Sequence, residues 1–242
     1  MRIIHLFFEV AIKSMAESSS SSSGMRRKPR QARSQERVSR ILDVAEELFI
    51  VEGYTATTTN AIATRAQVPI GSLYQFFPDK TAILKALALR YGELLHQKFA
   101  AFDGVELAKL PLSTYVEKLI DTADQFFTDN PGYHAIFMEV QGTIPELEEI
   151  EEAADAQLIQ DLVTSLSQRD STLEPADYEA ISQGDVEAIA FVLVKAIGML
   201  LWLSLSQEIR LRERLVAETK RFALSYLESY FPDPLPATTG AD

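Results

Sequence analysis

Apolar positions recur at helical spacing along almost the whole chain, and sustained strand alternation is absent. Val38, Ile41, Leu42, Ala45, Leu48 and Phe49 make one stripe, which predicts a helix over 34–52 with Gly53 as its C-terminal stop. Thr57, Thr58 and Thr59 are N-cap candidates for a short second helix with Ile62, Ala63 and Ala66 inward. Pro69 suits the first turn of a third, where a missing amide hydrogen costs nothing. Pro78-Asp79 ends that helix, and Asp79 caps a long fourth from Lys80 to Phe102, with Ile83, Leu87, Tyr91, Leu94, Leu95, Phe99 and Phe102 on its buried face. Further helices are expected from Pro111, Pro131, Pro145, Gly184-Asp185 and Arg210, the last running to Phe231. The fold class is therefore all-α.

Residues 1–24 hold a short apolar run broken by Glu9 and followed by a serine tract. That run is too short to span a bilayer and has no clean cleavage site. The expected organisation is a poorly ordered extension and basic arm over 1–33, a three-helix unit over 34–82, a helical region over 83–232 and a frayed tail over 233–242. The segment from Ala188 to Leu205 is a marginal spanning candidate, but Lys195 near its middle would be costly in lipid. A fully buried helix in a bundle or dimer core is expected instead, with no membrane association.

The net charge is −12 over 242 residues, and its distribution is uneven. Met25 to Ala82 holds nine basic and six acidic residues, residues 1–24 are neutral, and 83–242 therefore carry −15. Such asymmetry suggests a polyanion-binding end joined to a part with another task; a solvated basic tail explains the charge equally well. With no cysteine, thiolate metal sites and disulfides are excluded, and a reducing cytoplasm is the compartment that fits.

The densest chemistry lies in VPIGSLYQFFPDK, from Val68 to Lys80. Three short helices behind a basic arm, with a tight Gln67-Val68 connection, have the layout of a helix-turn-helix. Gly71 and Ser72 allow a backbone to approach DNA closely, and Ser72, Tyr74 and Gln75 supply donors and acceptors. Leu73, Phe76 and Phe77 hold the helix against its neighbours. The Tyr74 ring is placed to press on a sugar edge while its hydroxyl donates to a phosphate.

GYTATTTNAIATRAQVPIGSLYQFFPDKTAILKAL, residues 53–87, resembles the DNA-binding domain of the TetR family of transcriptional regulators. Thr57-Thr58, Ile62-Ala63, Gly71, Leu73-Tyr74, Phe77 and Lys80 carry the resemblance. Two positions depart: the family's turn glycine is Gln67 and its capping serine is Pro69. Gln67 then has to take a left-handed backbone at roughly 1 kcal/mol. The resemblance implies that Thr58, Tyr74 and Lys80 contact phosphates, and that Ile70, Gly71, Ser72 and Gln75 face base edges of a double-stranded operator. Arg26 to Arg33 would track the backbone or a minor groove.

For the acidic remainder, the resemblance implies a ligand-sensing and dimerisation domain. Tyr91, Leu95, Phe99, Phe126, Phe127, Phe137, Met138 and Trp202 are its candidate ligand-facing residues, with His96 and His134 as polar handles; for each taken singly, ordinary core packing is the better reading. The last two helices would pair two copies through Leu193, Ile197, Leu200, Leu201, Phe222, Tyr226 and Leu227. No cofactor or metal is expected, since His96 and His134 lack ligand spacing, and no phosphate loop or nucleophile elbow suggests an enzyme. The expectation is a ligand-responsive regulator, a repressor before an activator. The other class left open is a helical interaction or membrane-associated protein.

Overall fold

The computed structural model describes residues 27–102, 106–107, 109–140, 142–170 and 181–231, with no side-chain account for 27–32, 146 and 170. Its described elements are all helical. They are α1 (Arg27–Glu52), α2 (Thr59–Arg65), α3 (Ile70–Phe76), α4 (Lys80–Ala100), α5 (Leu112–Asp129), α6 (Pro131–Val140), α7 (Pro145–Asp170), α8 (Gln183–Ser204) and α9 (Ile209–Glu228). The first helix begins seven residues before the predicted Ser34, because the basic segment from Arg27 continues the same helix. Arg26, the rest of the N-terminal extension and the 233–242 tail lie outside the described residues.

The chain divides into two units, one of residues 1–91 with 135–150 and the other of 92–134 with 151–242. The first therefore reaches nine residues further along α4 than the sequence boundary at Ala82, and it takes in the second half of α6. In this unit Ile41, Ala45, Phe49, Ile62, Leu73, Ile83, Leu84, Leu87 and Ile136 are buried. Thr57 is buried too; its hydroxyl donates to the Gly53 carbonyl at 2.8 Å. Arg90 pairs with Asp43 at 2.5 Å and with Glu46, and the Tyr91 hydroxyl also donates to Glu46, so α4 is tied to α1 by charge as well as by packing.

In the second unit the core is built from α5, α7, α8 and α9. Leu112, Val116, Ile120, Leu166, Ile189, Leu193, Leu201, Ala223 and Leu227 are its buried centre. Tyr115 lies inside it and donates to Ser165 Oγ at 3.1 Å; burial pushes its phenol up to about 12, so it stays a neutral donor. Arg212 bonds Asp124 at 2.6 Å and Thr128 at 3.1 Å, fastening α9 to α5.

One expectation needs correction, and a second bears only on the single chain. Leu94 is 39% exposed and does not belong to the buried face of α4. The apolar helix α8 is long and apolar enough to cross a membrane, but it is not fully buried in this chain. Ile189, Leu193 and Leu201 enter the core and Lys195 bonds Asp155 at 2.5 Å, whereas Phe191, Val192, Met199 and Leu203 remain exposed.

Gln67 has φ +54, the left-handed region that the missing glycine predicts, and it is the non-glycine residue so placed among those described. Gln67→Gly removes the Cβ strain while enlarging the unfolded ensemble, so a net stabilisation of about 0.5–1 kcal/mol is expected. Urea denaturation followed by circular dichroism measures it.

Candidate nucleic-acid interface

The site is built on two short helices and the turns that seat them. Thr58, with extended backbone, caps α2 by accepting from the Ala61 amide at 3.1 Å, so the threonine run does start the helix, at its middle member. The Ala66 amide closes α2 onto the Ile62 carbonyl at 2.8 Å, and Val68 N–H returns to the Ala63 carbonyl at 3.0 Å. These bonds and the left-handed Gln67 make the α2–α3 turn. Pro69 stands at the N-cap of α3 rather than inside its first turn, and offers no side-chain cap, as its chemistry requires.

Orientation on α3 follows from the spacing of its apolar residues. Leu73 is completely buried and Phe77 nearly so, which turns Ile70, Gly71, Tyr74 and Gln75 outward. Ser72 is half-buried. A Cβ on Gly71 would meet nothing within 4 Å, so this glycine leaves an open surface rather than relieving a contact inside the fold. The Tyr74 hydroxyl lies 3.0 Å from Thr59 Oγ1, a link between α2 and α3 that the sequence did not reveal. Thr58, Ile70, Tyr74 and Gln75 are each exposed.

Lys80 differs from its expected role. Its ammonium donates to the carbonyls of Tyr54 at 2.5 Å, Thr55 at 3.1 Å and Thr57 at 2.8 Å, and it sits 4.4 Å from the Tyr54 ring centroid. All three N–H groups are engaged inside the fold. Burial lowers the ammonium pKa, and the Glu139 carboxylate opposes that shift. A lysine held this way fixes the α1–α2 turn instead of projecting toward a phosphate. The first-turn Ala82 amide of α4 is likewise taken, by Asp79 Oδ1 at 2.7 Å.

Glu139 completes the same turn from the other side. Its two carboxylate oxygens accept from the backbone amides of Tyr54 at 2.7 Å and Thr55 at 3.0 Å. Those amide bonds, to Thr55 first and Tyr54 second, with Lys80 adding its charge, hold the carboxyl below the usual carboxylate range. With a depressed folded pKa, its stabilising contribution is present above about pH 4.5 and is lost as pH falls through the lower folded value.

In the first unit Tyr91 and Phe137 are buried and pack edge to face at 6.1 Å, while Met138 is 44% exposed. Tyr91 and Phe137 are therefore core residues. In the second unit Phe126, Phe127, His134 and Trp202 do meet, joined by Tyr133, which the sequence did not single out. Burial lowers the His134 pKa, and His134 Nε2 lies 3.3 Å from Ser206 Oγ. Elsewhere in that unit His96 Nδ1 faces Asp161 at 3.2 Å, Phe99 stacks edgewise on Phe102, and Leu95 is half-buried. A small cavity of about 20 Å³ in the same unit is lined by apolar residues including Leu119, Leu162, Leu193, Ile197 and Leu227. None of the expected ligand-facing residues lines it. No group of three or more metal-ligating side chains occurs among the described residues.

Residues 41–87 match the family described as "Bacterial regulatory proteins, tetR family", and residues 111–227 match "Tetracyclin repressor-like, C-terminal domain". The chain is 30% identical to the HTH-type transcriptional activator FasR of Mycolicibacterium smegmatis, over 62% of this chain and 67% of that protein. This chain belongs to the TetR family. It is also 38% identical to the HTH-type transcriptional repressor KstR of Rhodococcus jostii, over 26% of this chain and 30% of that protein, so this likeness spans less than a third of KstR. A solved TetR-family regulator from Streptomyces coelicolor superposes with a TM-score of 0.55 at 24% identity, covering 80% of this chain and 98% of the other. The protein is accordingly a TetR-family transcriptional regulator with a helix-turn-helix, and DNA is its partner.

Lys80→Met keeps the stem and removes the three carbonyl bonds. It should destabilise the protein by about 1–3 kcal/mol, read from urea denaturation, before any DNA is added.

Proposed function

We propose that the protein is a ligand-responsive regulator that binds an inverted-repeat operator as a homodimer, with α3 as the reading helix. One observation carries this reading: Ile70, Gly71, Tyr74 and Gln75 face outward from a helix whose Leu73 is fully buried. Thr58 and Tyr74 fit phosphate contacts. Ile70 fits a thymine methyl and Gln75 an adenine edge, with Gly71 and Ser72 allowing close approach. Lys80 acts indirectly, by holding the turn before α2.

Dimerisation is supported by the exposed apolar residues of the last two helices. Phe191, Val192, Met199 and Leu203 share one face of α8, Phe222 is exposed on α9 and stacks at 6.2 Å on the half-buried Tyr226, and Tyr230 is exposed just past the end of α9. They replace Leu193, Leu201 and Leu227 in the expected seam, because those three are consumed by the chain's own core. Two α8–α9 pairs would form a four-helix seam and set the two reading helices about 34–36 Å apart.

The effector that fits is a small apolar or aromatic molecule, taken in the second unit near the aromatic cluster or by enlargement of the apolar cavity. It would act by favouring a conformation with the wrong reading-helix separation. A cytoplasmic repressor is the primary reading. An activator is the second, favoured by the likeness to FasR, whose matched length is the greater of the two named relatives.

Footprinting against DNA flanking the coding region tests the reading: a protected inverted repeat is expected, and no protected site at any salt concentration overturns it. Tyr74→Ala should weaken operator binding about tenfold to a hundredfold, as expected for losing a phosphate contact and its packing. By light scattering, the native chain should be a dimer and Met199→Asp/Phe222→Glu a monomer. A native monomer overturns the seam.

A further inference from the structure

The turn between α1 and α2 is gripped by two opposite charges. Lys80 holds three of its carbonyls, and Glu139 holds the two amides of Tyr54 and Thr55. Gly53 fits the same arrangement twice over. Its φ of +83 suits glycine, and a Cβ there would stand 3.2 Å from Glu139 Oε2, crowding the carboxylate. Glu139 follows Tyr54 by 85 residues and lies within the stretch that matches the family's C-terminal domain. A residue of the regulatory region thus completes the fold of the DNA-reading unit.

We propose that Glu139 is a positioning residue for DNA binding: its bidentate carboxylate fixes the 53–57 turn and thereby the seat of α2 and α3. The inference rests on the DNA-reading role given above for α3. It follows from connectivity. Thr57 and Thr58 end the turn and cap α2, and α2 passes directly through Gln67 into α3. Loosening the Tyr54 and Thr55 amides releases the start of α2, and the Thr59–Tyr74 hydroxyl link transmits the change to the exposed face of α3. Seating or unseating this one carboxylate gives the C-terminal region a means of setting DNA affinity without touching DNA.

The sign of the mutational effect separates this role from simple electrostatics. Removing a negative charge from a DNA-binding protein should tighten its grip on a polyanion. A positioning role predicts the opposite. The test uses the full chain with the footprinted operator, measured by fluorescence anisotropy at several salt concentrations. Glu139→Gln should weaken specific binding about tenfold, the scale of one lost charge-assisted bond, with the slope of log Kd against log salt unchanged. Glu139→Asp, one methylene shorter, should fall between it and the native protein. Glu149→Gln, an exposed carboxylate of the same unit, should leave binding equal or slightly tighter. Hydrogen exchange should rise at the Tyr54 and Thr55 amides in Glu139→Gln and not in Glu149→Gln. If Glu139→Gln fails to fold, Glu139→Asp carries the comparison. Native-like or tighter binding by a folded Glu139 variant, with those amides still protected, overturns the proposal and leaves the DNA-reading role intact. A native protein without a specific site overturns both.

Discussion

A seven-residue helix has no stability of its own in water, because nucleation costs more than so few hydrogen bonds return. The α3 helix of this protein is that short, so its existence and direction depend on burying Leu73 and Phe77 in the first unit. Everything said about function depends on this anchoring. The same burial that creates the helix decides which four residues face away, and those four are the ones proposed to read DNA.

The supports of α3 are arranged from the inside outward. Apolar burial fixes the helix axis, the left-handed Gln67 fixes the turn before it, and the Thr58 cap fixes the start of its partner α2. The 53–57 turn comes last, and beyond the buried Thr57 and the Phe49–Tyr54 ring contact it is held by two charged side chains. That difference matters. Packed leucines respond steeply to displacement, whereas a half-exposed lysine and an exposed glutamate bonded to backbone can be exchanged for water at modest cost. The most adjustable link in the series is therefore the 53–57 turn.

Much of this was legible in the sequence where the determinants are local. Helical spacing located eight of the nine helix starts among the described residues to within a few residues, and the absence of a turn glycine predicted the positive φ at Gln67. The start of α1 was missed because arginines and lysines have good helix propensity but show no apolar stripe. The bonds of Lys80 were hidden for a different reason. Its spacing from Tyr74 marks a family position, but spacing says nothing about the three carbonyls that a turn 25 residues earlier brings within reach. Glu139 left no signal at all: it is one glutamate in a short, otherwise apolar helix, and its partners are backbone amides 84 and 85 residues away. A ligand-facing set is not legible in sequence, since large apolar residues in a helical bundle look alike whether they enclose a cavity or fill one. Tyr91 and Phe137 fill; Phe126, Phe127, His134 and Trp202 gather in one cluster.

Charge distribution gives the last constraint. Residues 83–242 carry −15, which repels a polyanion, while the small excess of positive charge lies between Met25 and Ala82. Binding driven by counterion release alone would therefore be weak over most of the surface. A strongly basic regulator can tolerate loose geometry because attraction to any duplex holds it near its site. An acidic one has to gain its affinity from a few well-placed contacts, so small displacements of the reading helix cost it proportionally more. Rigid seating of α3 and an acidic body are consistent requirements of the same design, and a turn held by two opposite charges is where such a protein is most sensitive to control.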